Sequence, residues 1–211
     1  MKYKTVIFDI DGTLLNTEKG VTRALSYTLE RFGKHIPPDF DKRRFLAPSM
    51  GYTMHNFFGF TPEQADAALA VYRIRYAEDG FSDTELFPGI YELLTDLHAA
   101  GVKIVIATSR NGFSTFSILD RYRLNGFVSH AAFSDGDPRC NSKRAIIKDA
   151  LSAAELPAIM VGDTVLDADG ARENGVPFIG MLYGYGIPDE LESAGAYKLC
   201  KSAGELREIL L

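Results

Sequence analysis

Short runs of consecutive apolar residues, each stopped by a polar loop, set the rhythm of this chain. Thr5-Val6-Ile7-Phe8 ends at Asp9, and Val102-Lys103-Ile104-Val105-Ile106-Ala107 ends at Thr108-Ser109-Arg110. Ala158-Ile159-Met160-Val161 gives way to Gly162-Asp163-Thr164, and Val176-Pro177-Phe178-Ile179 to a Gly-rich loop. Phe127 to Phe133 is a weaker run that stops before Ser134-Asp135. The runs have strand length and are apolar throughout, so they predict strands buried on both faces. Between them Ile90, Leu93, Leu94 and Leu97 share one helical face, as do Ile146, Ile147, Ala150 and Leu151. Alternating buried strands and helices predict an α/β fold, a parallel sheet with helices on both faces. In open α/β sheets ligands sit at the carboxyl ends of the strands, which is where the polar residues cluster.

One stretch breaks the rhythm. From Asn16 to Asp83 there are helical patterns and no convincing strand. Val21, Leu25, Leu29 and Phe32 form one amphipathic helix that stops near Gly33. Thr61-Pro62-Glu63-Gln64 starts another, with Thr at the cap and Pro at the first helical position, running through Ala65, Leu69, Tyr72 and Tyr76. The expected organisation is an α/β core of residues 1–15 and 84–211, with a helical insertion at 16–83. The chain returns to the core around Leu86-Phe87-Pro88-Gly89.

Composition narrows the function. The 211 residues carry 23 Lys+Arg against 28 Asp+Glu, a net charge of −5 with no basic block, so a nucleic acid polymer is not an expected partner. No stretch approaches the roughly 18–20 apolar residues that span a bilayer, and no membrane partner is expected. Cys140 and Cys200 stand far apart without a CxxC partner motif, which suits a reducing, cytoplasmic setting. The expected partner is a small molecule, and the expected assembly a monomer or homodimer.

The chemistry-bearing residues lie at the strand ends. Asp9 and Asp11, in Phe8-Asp9-Ile10-Asp11-Gly12-Thr13, are two carboxylates one residue apart. One can attack phosphorus while the other protonates the leaving oxygen and then deprotonates water. The plain alternative is an acidic turn. Asp163 and Asp167 lie four residues apart after another strand. One carboxylate from each of two strand ends would suit Mg²⁺, which takes oxygen ligands; an acidic helix start is the alternative. Thr108 and Ser109 offer hydroxyl and N–H groups for phosphate oxygens, or a helix cap. Lys143, at the start of a helical pattern, is placed to offset the repulsion between aspartates and phosphate, or is a solvated surface lysine. Each signal alone is ordinary; their joint placement at successive strand ends is not.

At these residues the chain resembles the haloacid dehalogenase superfamily of phosphotransferases over nearly its whole length. Asp9 to Thr13 resembles the first motif, Thr108 the second, Lys143 the third, and Gly162-Asp163 through Asp167 the fourth. Gly170-Ala171, Gly175-Val176-Pro177 and Tyr183-Gly184-Tyr185-Gly186, together with the helical insertion, are similar to the phosphoglycolate-phosphatase-like branch. Leu15-Asn16-Thr17-Glu18-Lys19 and Ala107-Thr108-Ser109-Arg110 look most like its 5′-nucleotidase-like members. The resemblance implies a Rossmann-like core of five parallel strands in the order 5-4-1-2-3 with an α-helical cap domain. It implies Asp9 as nucleophile and Mg²⁺ ligand, and Asp11 as general acid/base with its backbone carbonyl on the metal. Thr108 and Lys143 would then hold the phosphoryl oxygens, Asp163 would complete the metal shell, and Asp167 would act behind it or through water. The chain departs from the family at Ser109-Arg110, where Asn-Lys or Ser-Lys is commoner, at Lys143, which lacks the frequent Lys-Pro context, and at Asn16, where Asp is common.

The expected activity is therefore a Mg²⁺-dependent phosphomonoester hydrolase acting on a small phosphorylated metabolite, such as phosphoglycolate or a nucleoside 5′-monophosphate, through an aspartyl phosphate. A β-phosphoglucomutase-like phosphosugar mutase uses the same aspartates, and a non-catalytic phospho-Asp or Mg²⁺-binding regulatory domain would need no acid at Asp11. Arg43, Arg44 and Ser49 are candidate contacts to the leaving group in the cap, as are His55, Phe57 and Phe58; the plain readings are a solvated face, a surface histidine and cap core.

Overall fold

The computed structural model describes residues 2–47, 49–79, 83–134 and 142–211; Asp135 and Cys140 of the sequence reading lie outside them. The chain divides into two units, residues 1–15 with 86–211, and residues 16–85.

The first unit is built on a six-stranded parallel sheet in the Rossmann-like α/β arrangement. β1 (Thr5–Phe8) lies at its centre, between β4 (Lys103–Thr108) and β6 (Ala158–Gly162). β5 (Val128–Phe133) flanks β4, while β7 (Phe178–Met181) and then β8 (Lys198–Cys200) extend the other side. Thr5 to Phe8 pair with Lys103 to Ile106 on one side and Ala158 to Val161 on the other. All four β1 residues are buried, as expected of a strand covered on both faces.

Alternation along the strands separates two apolar layers. Ile7, Val105 and Met160 form one cluster with Ile146, Ile147 and Ala150 of α7 (Lys143–Ser152), Ala168 and Ala171 of α8 (Val165–Glu173) and Leu191 of α9 (Pro188–Ser193). Val6, Phe8, Ile104 and Ile106 point the other way and are equally buried. α5 (Ile90–Ala99) packs on β4 and on α10 (Ala203–Leu210), burying Ile90, Leu93, Leu94 and Leu97. α6 (Gly112–Arg121) leads into β5, capped by Asn111, whose side chain accepts from the Ser114 N–H.

Two expectations about the sheet are corrected. It has six strands rather than five, because Lys198-Leu199-Cys200 pairs with β7 beyond the expected edge. Three residues with an exposed lysine carry too little apolar pattern to announce a strand. The strand expected at Val176 begins instead at Phe178: the Val176 N–H closes α8 on Ala171 O, and Pro177 has no N–H to give to a ladder. The expected order of the other five strands is the one observed.

The chain passes between the units through β2 (Leu15–Asn16) and β3 (Glu85–Leu86), which pair as a two-stranded ribbon. The second unit is helical: α1 (Glu18–Arg31), α2 (Arg43–Leu46), α3 (Met50–Phe58) and α4 (Pro62–Asp79). Asn16 accepts from the Glu18 N–H and so starts α1. Val21, Leu25, Leu29, Phe45, Met54, Phe58, Phe60, Ala65 and Ala68 give this unit a core of its own. Phe40 stacks on Phe45 and Phe58 and meets Phe57 edge-on.

Ile147 is fully buried between α7 and the sheet. Ile147→Ala is expected to lower unfolding free energy by about 2–5 kcal/mol, read as a lower urea midpoint at unchanged slope; a shift below about 1 kcal/mol would contradict the packing described.

Candidate active site

The site forms where the central strands end. Asp9 follows β1 and its N–H donates to Val161 O, continuing the ladder one step past Phe8. Asp163 follows the neighbouring β6, so two parallel strands deliver two carboxylates side by side. Asp167 sits in the first turn of α8, where it completes a capping box with Thr164: the Asp167 N–H donates to Thr164 Oγ1, and Asp167 Oδ2 accepts from the Thr164 N–H and hydroxyl. Oxygens of Asp9, Asp163 and Asp167 all lie within 4.8 Å of one another, and all three residues are buried.

Lys143 enters this group from the first turn of α7, whose cap Ser142 accepts from the Ala145 N–H. Its ammonium donates to Ala107 O at 3.0 Å and pairs with the carboxylate oxygens Asp9 Oδ1 and Asp167 Oδ1, each at 2.8 Å. Burial alone would lower the Lys143 pKa, but the carboxylates of Asp167 and Asp9 outweigh it, so the net shift is upward and the ammonium stays charged. Burial pushes the Asp9 carboxyl up to about 7 against the opposing pull of Lys143. It raises Asp163 as well, which faces Asp167 and Asp9 and, among the described residues, is held by neutral donors. Those donors are the Thr13 hydroxyl, 3.0 Å from Oδ1, and the Tyr185 N–H, 2.7 Å from Oδ2.

Gly12 makes this approach possible. Its φ is +78°, and a Cβ there would lie 2.0 Å from Asp163 Oδ2, so neither the turn nor the space admits a side chain.

Asp11 takes a different direction from Asp9. Both its oxygens accept from the Arg110 guanidinium, Oδ2 from Nε at 2.7 Å and Oδ1 from an Nη at 2.5 Å. The other Nη donates to Ser114 Oγ at 2.9 Å, and the arginine side chain is only 9% exposed. Thr108 is buried at the end of β4 and its Oγ1 accepts from the Arg110 N–H, while Ser109 is exposed. Sequence reasoning assigned Arg110 no role. The available signal was an unusual arginine two positions past Thr108, but nothing local announces a partner 99 residues away.

The structure thus gathers Asp9, Asp163, Asp167 and Lys143, and ties Asp11 to the Thr108 loop through Arg110. The second unit keeps its candidate residues in local contacts. Arg43 forks onto Asp41, Arg44 lies over the Phe57 ring, and Ser49 caps α3 by accepting from the Tyr52 N–H. His55 Nδ1 contacts Phe60 O at 3.0 Å, while Phe57 and Phe58 belong to that unit's core.

Three buried carboxylates against one ammonium leave surplus negative charge, concentrated on Asp9 and Asp163, where no second cation is bonded among the described residues. All-oxygen donors at this spacing suit a hard divalent cation. Asp9, Asp163 and Asp167 could hold such an ion; Asp167 Oδ1 also pairs with Lys143 and its Oδ2 accepts from Thr164.

A pH dependence follows for the metal-free protein. The folded state keeps protons on Asp9 and Asp163 that the unfolded chain releases, so its stability falls as pH rises from about 4 towards about 7, the window set by Asp9. The melting temperature in EDTA is expected to decline between about pH 5 and pH 7.5, less steeply in Asp163→Asn. A divalent cation should restore it at the upper end. A slope identical in wild type and variant would refute the assignment.

The comparisons with known proteins agree with this geometry. Residues 6–181 match the family model described as haloacid dehalogenase-like hydrolase. A Pseudomonas aeruginosa protein named 5′-nucleotidase is 30% identical over 213 residues, covering 100% of this chain and 96% of its own. A Mycobacterium tuberculosis protein named tyrosine-protein kinase PtkA is 31% identical, covering 97% of this chain and 72% of its own. A solved structure described as a predicted phosphatase from Clostridium acetobutylicum superposes with a TM-score of 0.90 at 30% identity, over 100% of this chain and 99% of that one. With the strand order, the four-residue charge cluster and the family match in agreement, this chain belongs to the haloacid dehalogenase-like hydrolases and is an enzyme of their phosphatase type.

Proposed function

We propose that this enzyme hydrolyses phosphomonoesters of small metabolites, with Asp9 as nucleophile and Mg²⁺ as cofactor. The observation that carries the reading is the state of Asp9: buried at the end of the central strand, with Oδ1 fixed by Lys143. Oδ2 then attacks phosphorus in line, and an aspartyl phosphate forms as the alcohol leaves. Mg²⁺ held by Asp9, Asp163 and the Asp11 carbonyl would draw charge from the phosphoryl oxygens. Lys143 keeps the nucleophile oriented and adds positive charge to the same centre, and Asp167 acts through Lys143 and Thr164. Thr108 and Ser109 line the phosphoryl side.

Asp11 serves as acid and then base. Both its oxygens accept from Arg110, so it reaches the leaving oxygen when that fork opens. A phosphoryl dianion competes for the same planar donor, which links substrate arrival to release of Asp11.

The helical insertion, residues 16–85 with its own core, carries selection of the leaving group as a cap domain, with Arg43, Arg44 and Ser49 as the residues to test. The relative named 5′-nucleotidase and the branch resemblance support nucleoside 5′-monophosphates and phosphoglycolate as first substrates.

Phosphate release is measured from a panel of phosphoglycolate, nucleoside 5′-monophosphates, sugar phosphates and pyrophosphate, with Mg²⁺ or EDTA, beside Asp9→Asn. Wild type with Mg²⁺ is expected to turn over at least one class, and EDTA or Asp9→Asn to lower the rate by about a thousandfold or more. Retained activity in purified Asp9→Asn would remove the nucleophile assignment. Transfer to a hexose phosphate or a tyrosine peptide in place of water, the latter suggested by the PtkA relative, would replace hydrolysis by phosphotransfer.

A further inference from the structure

Three parts of the site meet at Tyr183, on the loop after β7. Its hydroxyl donates to Thr13 O at 2.8 Å. That carbonyl belongs to the turn after Asp11, in which the N–H groups of Thr13, Leu14 and Leu15 all close on Ile10 O. The Thr13 hydroxyl in turn donates to Asp163 Oδ1. On its other side the Tyr183 ring packs on Phe87, with centroids 4.3 Å apart and planes at 37°. The Phe87 N–H donates to Leu14 O, so Phe87 joins the two chain segments just where they leave for and return from the β2–β3 ribbon.

The residues after Tyr183 press on the same carboxylate. A Cβ on Gly184 would lie 2.3 Å from Asp163 Cβ and 2.5 Å from Gly12 O, and the next residue, Tyr185, gives its N–H to Asp163 Oδ2. Asp163 is therefore fixed on one oxygen by the Thr13 turn and on the other by the Tyr183 loop, and the Tyr183 hydroxyl joins turn to loop.

We propose that Tyr183 is a positioning residue for the metal-binding carboxylate: through Thr13 it holds the Asp11 turn and the Asp163 loop at one spacing, and through Phe87 it ties that spacing to the root of the ribbon. The inference rests on the metal role proposed for Asp163. Partners that orient metal-binding carboxylates typically contribute about 10–100-fold in affinity, and Tyr183 acts one bond further out.

Mn²⁺ binding to the purified full chain is measured by calorimetry or EPR in wild type, Tyr183→Phe, Thr13→Val and the double variant, with melting temperatures alongside. Thr13→Val is expected to weaken Mn²⁺ about 10–100-fold, in line with an outer-shell partner. Tyr183→Phe, which keeps the ring on Phe87, is expected to weaken it about 3–10-fold, a smaller share of that range. Thr13→Val keeps the backbone carbonyl that Tyr183 bonds, so the double variant is expected to bind Mn²⁺ more weakly than either single variant. Phe87→Leu tests the second contact without altering the hydroxyl, and is expected to weaken Mn²⁺ about threefold, less than loss of a direct partner. Unchanged Mn²⁺ affinity in Tyr183→Phe, or a lowered melting temperature with unchanged affinity, would overturn the proposal. Wild type that binds no Mn²⁺ would overturn the metal reading itself, and this inference with it.

Discussion

The contact between the Lys143 ammonium and the carboxylates of Asp9 and Asp167 governs the rest of the site. Burying ionised carboxylates is strongly unfavourable unless charge and hydrogen bonds compensate, and here one ammonium serves two of the three. That requirement fixes where α7 begins: its first residue must bring Nζ against Ala107 O at the end of β4, next to the strand that carries Asp9. Among the described residues Asp163 is held by a hydroxyl and an amide donor. The charge imbalance is therefore not spread over the cluster. It lies on the side of Asp9 and Asp163, the two residues that follow adjacent parallel strands.

Parallel pairing is what makes this placement reproducible. Each strand ends at the same edge, so residues one step past Phe8 and Gly162 come together without any long-range search by the side chains. Asp11 is two residues further on and has already left the ladder. Its direction is set by Arg110 from the loop after β4, on the opposite side of β1 from Asp163. One acid faces the buried cluster and the other faces a guanidinium, although the two share a single tripeptide.

What could be read in the sequence follows from locality. Thr5-Val6-Ile7-Phe8 announces a central strand because every residue is apolar, and Asp9 is conspicuous because it stops the run. Thr164 and Asp167 form a helix start whose signal lies within four residues. Lys198-Leu199-Cys200 was not legible as a strand, since its apolar support comes from β7 and not from its own pattern. The Arg110–Asp11 fork and the Tyr183–Thr13 bond join positions 99 and 170 residues apart, and periodicity carries no information over such distances. Arg43 and Ser49 drew attention as charged and hydroxylic groups, yet their observed partners, Asp41 and the Tyr52 N–H, are near neighbours in sequence.

The ribbon of β2 and β3 has a consequence for how such a chain can be assembled and altered. Because Leu15–Asn16 and Glu85–Leu86 are paired, the points where the chain leaves and re-enters the sheet unit are neighbours, about 5 Å apart as in any strand pair. The sheet unit therefore experiences the inserted residues almost as it would a tight turn. A short peptide could close the same gap without shifting the register of β1 against β4 or β6, and a helical module of another length could be grafted there just as well. The ribbon is a splice point: an insertion joined there leaves and re-enters the sheet unit at one place, away from the pairing of β1 with β4 and β6.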